Sequence, residues 1–543
     1  MASTPRTAAS MSRPMPHPTA PDLLARLMHG PKTILSLPDD VMLEIIAFIR
    51  VKDILTLRQT CKKLSKLTRS RWVWTNAVTQ HVIEKGLPMP ASHPGLKSLS
   101  AVHLEVRVVH AAKLHDNWYS HNPKPRQAVE FEARCMVDDL ADVPTSPVSQ
   151  VLFMPGRSGE FLLVLAGKRL SCWEVPLDGS GAYEIVCIHE DGVFIEEVIV
   201  NEDPDHGRGE FAFWARRPGN DANVTLYIAS LDTFHGRIEV SMSCSPLVRI
   251  AAPLHLMHGN FLVTGDFPVL WYLAAPPKKQ NSTGLVGGLV VEGSNVVLTV
   301  KIIGQYVLVA RQQEFQVFSL PDHSPEHGIK GPAELLATFH WDSPAREVVI
   351  AVRDESKRDA TAPPSNSWPS GAVTVLLREN NDGFNMLKQY DFLPNTEGRP
   401  SAGTKAVLPF ILPSGCTQVV PVAPSFCGLA VWPSGRGFWV QTNNVETNHM
   451  QFPARCVMGF DIASPRQAQA ISTEREAKSP SLPGVNRNAN IVHFCEGPLY
   501  ARRCDMSHIL RKRYALKTVD LEDVIGRLAI GDKDGKVEVL DYA

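Results

Sequence analysis

The chain of 543 residues is 44% hydrophobic and 20% charged, which excludes a wholly disordered protein. Lys plus Arg number 55 against 56 Asp plus Glu, and a net charge of −1 excludes a global polyelectrolyte role such as non-specific nucleic-acid binding. Pro (42) outnumbers Gly (36), a composition of many turns and few long helices.

Residues 1–30 read as a disordered tail. They lack a secretory apolar core, and Pro14, Pro16, Pro18 and Pro21 would break the amphipathic helix of a transit peptide. Residues 31–85 change character. Val41, Ile45, Phe48 and Ile49 fall at i, i+4, i+7 and i+8, one face of a helix. Asp39 and Asp40 stand in its first turn, where negative charge suits the helix dipole. Asp53 is placed to cap a second helix, and Leu57, Cys61, Leu64 and Leu67 continue as a further apolar stripe. Helices this short cannot bury their stripes alone, so they pack on each other or on a partner.

Residues 86–128 are expected to be a linker. Its first part is rich in Pro and Gly, and the spacing of Leu99, Val102, Val106 and Val109 predicts one helix that ends before Asn117 and Trp118.

From residue 129 to 543 short apolar runs alternate with Gly, Pro, Asn and Asp, and one unit recurs: an apolar strand, a polar turn, a second strand that often carries an aromatic. Copies start at Phe161, Phe211, Phe261, Tyr306, Val348, Gly428 and Gly526. The early spacing fits propeller blades. The later gaps hold Pro/Ser-rich stretches near 354–370, 394–404 and 463–490, expected to be long loops or disordered inserts, with disorder assigned to 354–370 and 463–490. Six to eight blades are expected, with seven the best count, and an irregular double sandwich is the competing architecture. Residues 129–137 are expected to supply the strand that closes the ring with the C-terminal blade.

The ten cysteines are scattered without a CxxC pair, so no metal site is expected and the thiols read as reduced and mostly buried. The most apolar stretch, 247–275, is interrupted by Arg249, Pro253, His255, His258, Asp266 and Pro268, so no membrane span is expected. Phosphate-loop, zincin and nucleophile-elbow motifs are missing, which leaves no catalytic residue and no cofactor to assign. His493 and Cys495 read as strand-core residues rather than a nucleophile pair. Trp432 and Trp439 read as blade core or as part of a binding face, and residues 511–513 as a charged loop or a nuclear signal. Ser146, Ser464 and Ser479 each precede a proline in loop-like context.

The segment Leu35-Ser-Leu37-Pro38-Asp-Asp40-Val41-Met-Leu43-Glu-Ile45-Ile-Ala-Phe48-Ile49, then Val51 to Leu67 with Cys61-Lys-Lys63-Leu64, and finally Arg71-Trp-Val73-Trp74, resembles the F-box. Val73-Trp74 stands where the family usually has Leu-Trp, and Leu64 where it usually has an aromatic. Cys172-Trp173-Glu174-Val175 and residues 531–541 are similar in style to WD-type propeller blades, so the whole resembles F-box/propeller proteins of fungal type. The resemblance implies a multidomain α plus all-β chain: a short three-helix F-box, a helical linker and a large β-propeller. It further implies a non-enzymatic substrate receptor of an SCF cullin–RING ubiquitin ligase, cytoplasmic or nuclear. The partners so implied are the cullin adaptor, through it the cullin and RING subunit, and an unnamed target protein, with neither nucleic acid nor membrane. On the family pattern the adaptor-binding residues are Leu37, Pro38, Asp40, Val41, Ile45, Ile49, Leu55, Leu57, Cys61, Leu64 and Trp74. Residues 50–71 hold eight basic residues against Asp53 alone, a charge that would speed encounter with an acidic adaptor. The other readings are an F-box scaffold with no role in ubiquitination and a propeller enzyme, since carboxylate pairs are too common here to exclude glycosidic chemistry.

Overall fold

The computed structural model describes residues 34–83, 87, 99–118, 120, 123–133, 146–167, 169–188, 193–216, 224–234, 237–245, 253–275, 282–285, 295–352, 372–381, 384–395, 398, 407–422, 427–432, 435–447, 450–463, 491–503 and 516–543. The tail, the inserts expected at 354–370 and 463–490, Ser464, Ser479 and residues 511–513 fall wholly or almost wholly outside these. So do the side chains of His493 and Cys495.

The helical domain opens with a 3-10 turn, Ile34–Ser36, followed by α1 (Asp39–Ala47), α2 (Val51–Arg58), α3 (Lys62–Leu67) and α4 (Arg71–Val78). Asp39 and Asp40 occupy the first turn of α1 as the sequence suggests. Helix α2 starts two residues before the expected cap: Arg50 is the N-cap and Asp53 lies in the first turn, 3.0 Å from the Arg50 guanidinium. The stripe expected from Leu57 to Leu67 is split between two helices, because the chain turns extended at Cys61 before α3 begins. Ser70 caps α4 by accepting from the Val73 amide. Ile46, Val51, Ile54, Val73, Trp74 and Val78 form the core of this domain.

Helix α5 (Ala101–Trp118) is eighteen residues long and reaches Trp118, a little beyond the expected end. Its buried face is Leu104, Val108, Ala111, Leu114, His115 and Trp118. The expected stripe is half right: Leu99 is buried and Val109 packs against the helical core, whereas Val102 and Val106 are 66% and 62% exposed. Helix α5 is also more than a linker. Leu104, Val108 and Ala111 complete the helical core, and Leu114 and Trp118 belong to a β core. One rigid element thus spans two hydrophobic clusters.

Among the described residues the β domain has seven antiparallel sheets of four or more strands, each a blade, and one two-stranded ribbon, Asp322–Ser324 with Gly328–Lys330. The innermost strands are Val148–Phe153, Phe194–Val200, Leu254–His258, Val297–Ile303, Ala345–Val352, Cys427–Val431 and Leu516–Glu522 for blades 1 to 7. Six sheets have four strands, and the fifth blade adds a fifth, Phe410–Ile411, on its long third strand. Seven apolar clusters fill the seven junctions between neighbouring blades. Leu165 meets Phe213 between blades 1 and 2, and Phe315 lies 4.7 Å from Phe392 between blades 4 and 5. Val457 packs with Leu528 between blades 6 and 7, and Val151 with Val539 between blades 1 and 7. The last pair closes the circle. It is secured by Gln127–Glu132, which pairs antiparallel with the third strand of blade 7, Lys536–Asp541. The closing strand foreseen at 129–137 thus starts two residues earlier.

Every innermost strand carries one register shift against its neighbour, near its start in all seven blades. A bulge adds twist and re-aims side chains, and its sevenfold recurrence at one end of the channel marks a common rim. Trp439 is buried between blades 5 and 6, and Trp432 packs half-buried between blades 6 and 7, so both serve blade packing.

Candidate functional site

Helix α1 carries two apolar stripes one residue apart. Met42 and Ile46 turn inward with Ile49 packed beside them, and they complete the helical core. Val41, Ile45 and Phe48, also spaced i, i+4 and i+7, turn outward at 41%, 40% and 79% exposure. Ile34 and Leu35, just before the helix, are exposed too. These side chains form one apolar face at the start of the domain, with no core left for them to join.

The chain leading into that face is held by one lysine. Lys63 Nζ donates to the carbonyls of Leu35 and Leu37 at 3.0 and 3.1 Å and lies 3.1 Å from Asp39 Oδ1. Its charge satisfies carbonyls that precede the helix and so fixes the angle at which Leu37 and Pro38 are presented. Behind the face, Arg58 forks onto Glu105 of α5 at 2.6 and 2.9 Å and stands 5.7 Å from the Trp74 ring centroid. Helix α2 is thereby tied to α5.

The expected adaptor-binding residues divide by exposure. Pro38, Asp40, Val41 and Ile45 are exposed, and Leu37, Ile49, Leu55, Leu57 and Cys61 are half-buried. Leu64 and Trp74 are buried, Trp74 completely, inside the domain's own core. In the chain by itself these two side chains are taken up by the packing of the short helices. Phe48, Ile34 and Leu35 are exposed as well; the sequence places Phe48 in the stripe of α1, but the family pattern puts none of the three among the adaptor-binding residues. A helix with apolar residues at 41, 42, 43, 45, 46, 47 and 48 has more apolar surface than one core can cover, and that was the available signal.

The far end of α5 is seated on blade 7. Burial lowers the pKa of His110, and the neutral ring donates Nε2–H to the Ile525 carbonyl at 2.9 Å. Asn117 donates to the carbonyls of Lys124 and Tyr542, each at 2.8 Å. Arg436 lies 5.4 Å over Trp118 and donates to the Asp523 carbonyl at 3.2 Å. Gly526, at φ +84°, is required here: a Cβ would stand 2.3 Å from Leu114. This seat is the propeller face that carries the turn between the first two strands of blade 7. The rim of bulges lies at the opposite face.

Among the described residues no group of three or more His, Cys, Asp or Glu is placed to hold a metal ion, and no helix is long and apolar enough to cross a membrane. Residues 34–76 match the F-box domain family. No curated protein matches the chain by sequence. The WD40 domain of SCAP from fission yeast is 8% identical over 73% of this chain and 82% of that one, with a TM-score of 0.38. The humanized mutant of the Chaetomium thermophilum Polycomb Repressive Complex 2 bound to the inhibitor GSK126 is 14% identical over 78% of this chain and 98% of that chain, with a TM-score of 0.40. At such low likeness the blade count rests on the strand pairing itself. Residues 34–76 are an F-box domain, carried by this chain in front of a seven-bladed β-propeller.

Proposed function

We propose that this chain is a substrate-recognition subunit of an SCF-type ubiquitin ligase. Its F-box docks on the small cullin adaptor, and through it on the cullin and RING subunit, while the propeller holds a target protein. The observation that carries this reading is the second apolar stripe of α1: Val41, Ile45 and Phe48 stay exposed although the domain's own core is complete. Exposed apolar side chains grouped on one face are what a docking surface requires.

The chain supplies no chemistry in this reading. It supplies position, raising the local concentration of target lysines near the conjugating enzyme. A rigid α5 suits that task, because an effective concentration depends on a held geometry rather than on a floppy tether.

The test uses the full chain, since removing residues 34–85 would strip the cover from Leu104, Val108 and Ala111. Ile45→Asp with Phe48→Ala should lower affinity for purified adaptor at least about a hundredfold, roughly 3 kcal/mol. The unfolding midpoint should stay near wild type, since exposed substitutions usually shift stability by less than about 0.5 kcal/mol. Undiminished adaptor binding by this variant defeats the assignment.

A further inference from the structure

The rim of bulges, on the propeller face turned away from α5, carries an apolar ridge. In blade 3 the end of the second strand pairs with the start of the innermost one, Thr264 opposite Leu254, so the turn that follows, residues 265–268, stands at that rim. Phe267 in this turn is 53% exposed. Val296, directly before the innermost strand of blade 4, is 55% exposed, and Pro253, directly before that of blade 3, is exposed as well. Among the described residues no other large apolar side chain is left exposed on this rim.

The ridge is held from beneath. The Gly265 amide donates to the Pro253 carbonyl at 2.9 Å, and the His255 ring donates its Nε2–H to the Gly265 carbonyl at 2.9 Å. Gly265 sits at φ +99°, and a Cβ there would stand 3.0 Å from the Phe267 carbonyl oxygen, so the turn needs glycine at this point. On the other side of Phe267, the Pro268 carbonyl accepts the Leu285 amide at 2.8 Å. Buried Arg311 then donates to the carbonyls of Leu285 and Asn295 at 3.4 and 3.2 Å, and the Gln312 amide donates to the Val296 carbonyl at 2.9 Å. One run of hydrogen bonds thus links Pro253, Phe267 and Val296. Apolar side chains on a backbone fixed in advance lose little conformational freedom on contact, which is what an interface anchor requires.

The charges beside the ridge are negative. Asp266 is exposed, and half-buried Glu197 of blade 2 accepts the Leu254 amide at 3.0 Å. Neither carboxylate has an ion pair among the described residues. Within blades 2 to 4 the described arginines at this rim are engaged: Arg216 lies 3.0 Å from Glu196, and Arg311 is buried on its carbonyls. The next cation, Arg346, stands a blade further on. An apolar ridge flanked by unpaired carboxylates suits an apolar side chain beside a lysine or arginine and opposes a phosphate. We propose that Pro253, Phe267 and Val296 anchor the target, an extended and unphosphorylated segment that carries an aliphatic or aromatic side chain next to a basic one. The inference rests on the receptor reading above and supplies its class of target.

The experiment selects a phage-displayed library of random, unphosphorylated dodecapeptides on the immobilised full chain, then measures the affinity of the most enriched peptide after synthesis. Wild type should enrich sequences in which an aliphatic or aromatic residue adjoins Lys or Arg. Phe267→Ser/Val296→Ser should bind the winning peptide at least about tenfold more weakly. Asp266→Lys should also bind it more weakly at low salt, with the gap closing at high salt. Both variants should unfold near the wild-type midpoint and bind purified adaptor as wild type does, since the substituted side chains are exposed and lie on the face opposite the F-box seat. No enrichment, acidic winning peptides, or equal peptide binding by Phe267→Ser/Val296→Ser overturns the proposal. So does equal or tighter binding when phosphoserine replaces the basic residue of the winning peptide, because the rim would then accept phosphate. If wild type binds no adaptor, the ligase reading fails, and the ridge is judged on the peptide results alone.

Discussion

Asp520 stands on the innermost strand of blade 7, and its Oδ2 accepts the backbone N–H of Phe153 in blade 1 at 2.6 Å. It therefore helps to join the last blade to the first. Burial pushes its carboxyl up to about 7, with the Asp523 carboxylate adding to the shift and the amides of Phe153 and Leu521 opposing it. Glu522 is raised as well, first by burial and then by Asp523 and Asp520. A carboxyl whose folded pKa is raised keeps its proton longer in the folded state, so the folded state loses ground as pH rises. The contribution of Asp520 is complete below its ordinary 3.8 and is lost as pH climbs to about 7. Glu202 behaves oppositely. Burial raises it, but Lys301 and His258 outweigh burial and hold it at about 2. Its stabilisation is full above the ordinary 4.5 and fails only as pH falls towards about 2, outside the window of Asp520. Asp520→Asn keeps an oxygen for the Phe153 amide and removes the titration. Denaturant unfolding at pH 4.5 and pH 7 should show a smaller loss of stability with rising pH in Asp520→Asn than in wild type. Equal losses in the two proteins would mean that Asp520 ionises normally in the fold.

Helix α5 contributes to two hydrophobic clusters, one in the F-box domain and one in the propeller. Leu114 is fully buried at its contact with Gly526, so Leu114→Ala should cost about 2–5 kcal/mol. Val106→Ala, on the exposed face, should be within about 0.5 kcal/mol of wild type. Hydrogen exchange adds a sharper contrast: Leu114→Ala should speed exchange in the second half of α5 before the first, because the F-box cluster still holds Leu104 and Val108. Uniform exchange along the helix would show that α5 does not divide between two cores. The existence of this helix is legible in the sequence, but only part of its buried face is. The partners of Leu114 and Trp118 lie some 400 residues away, as the His110 to Ile525 bond illustrates, and local spacing cannot see them. Helix α1 is the same case in reverse: Val41 and Ile45 are legible as a stripe, while the choice between core and docking face depends on what else covers them. In the propeller, second and third strands such as Phe161–Ala166 and Arg169–Glu174 are legible because both faces are packed. Innermost and outermost strands alternate or are half-exposed, as Val148–Phe153 and Tyr183–Ile188 are, and so read weakly. In blades 5 and 6 the apolar pair recognised from the sequence is therefore the first and second strands, not the second and third. That slip of frame is one cause of the uneven late spacing.

At the scale of the whole molecule, one short piece of chain does two jobs. Residues 118–127 lead directly from the end of α5 into Gln127–Glu132, the strand that closes the ring. Val129 is buried between blades 7 and 1, and the Phe131 ring centroid lies 4.4 Å from that of Trp173 in blade 1. Ring closure and F-box placement are thus held by adjacent contacts, and loosening the first should release the second. Val129→Asp with Phe131→Asp would place charge against Val537, Val539 and Trp173 without altering the F-box core. The double variant should lose about 3 kcal/mol or more of propeller stability, as expected for a large core disruption. A ring in which every blade leans on two neighbours has no free edge at which to stop the damage, so the propeller should still unfold in one step, at a lower midpoint. Small-angle scattering of the variant below that midpoint should show a broader distribution of F-box to propeller distances than wild type. An unchanged distribution alongside a lowered midpoint would show that the seat of α5 on blade 7, through His110, Leu114 and Trp118, fixes the F-box without help from the closing strand.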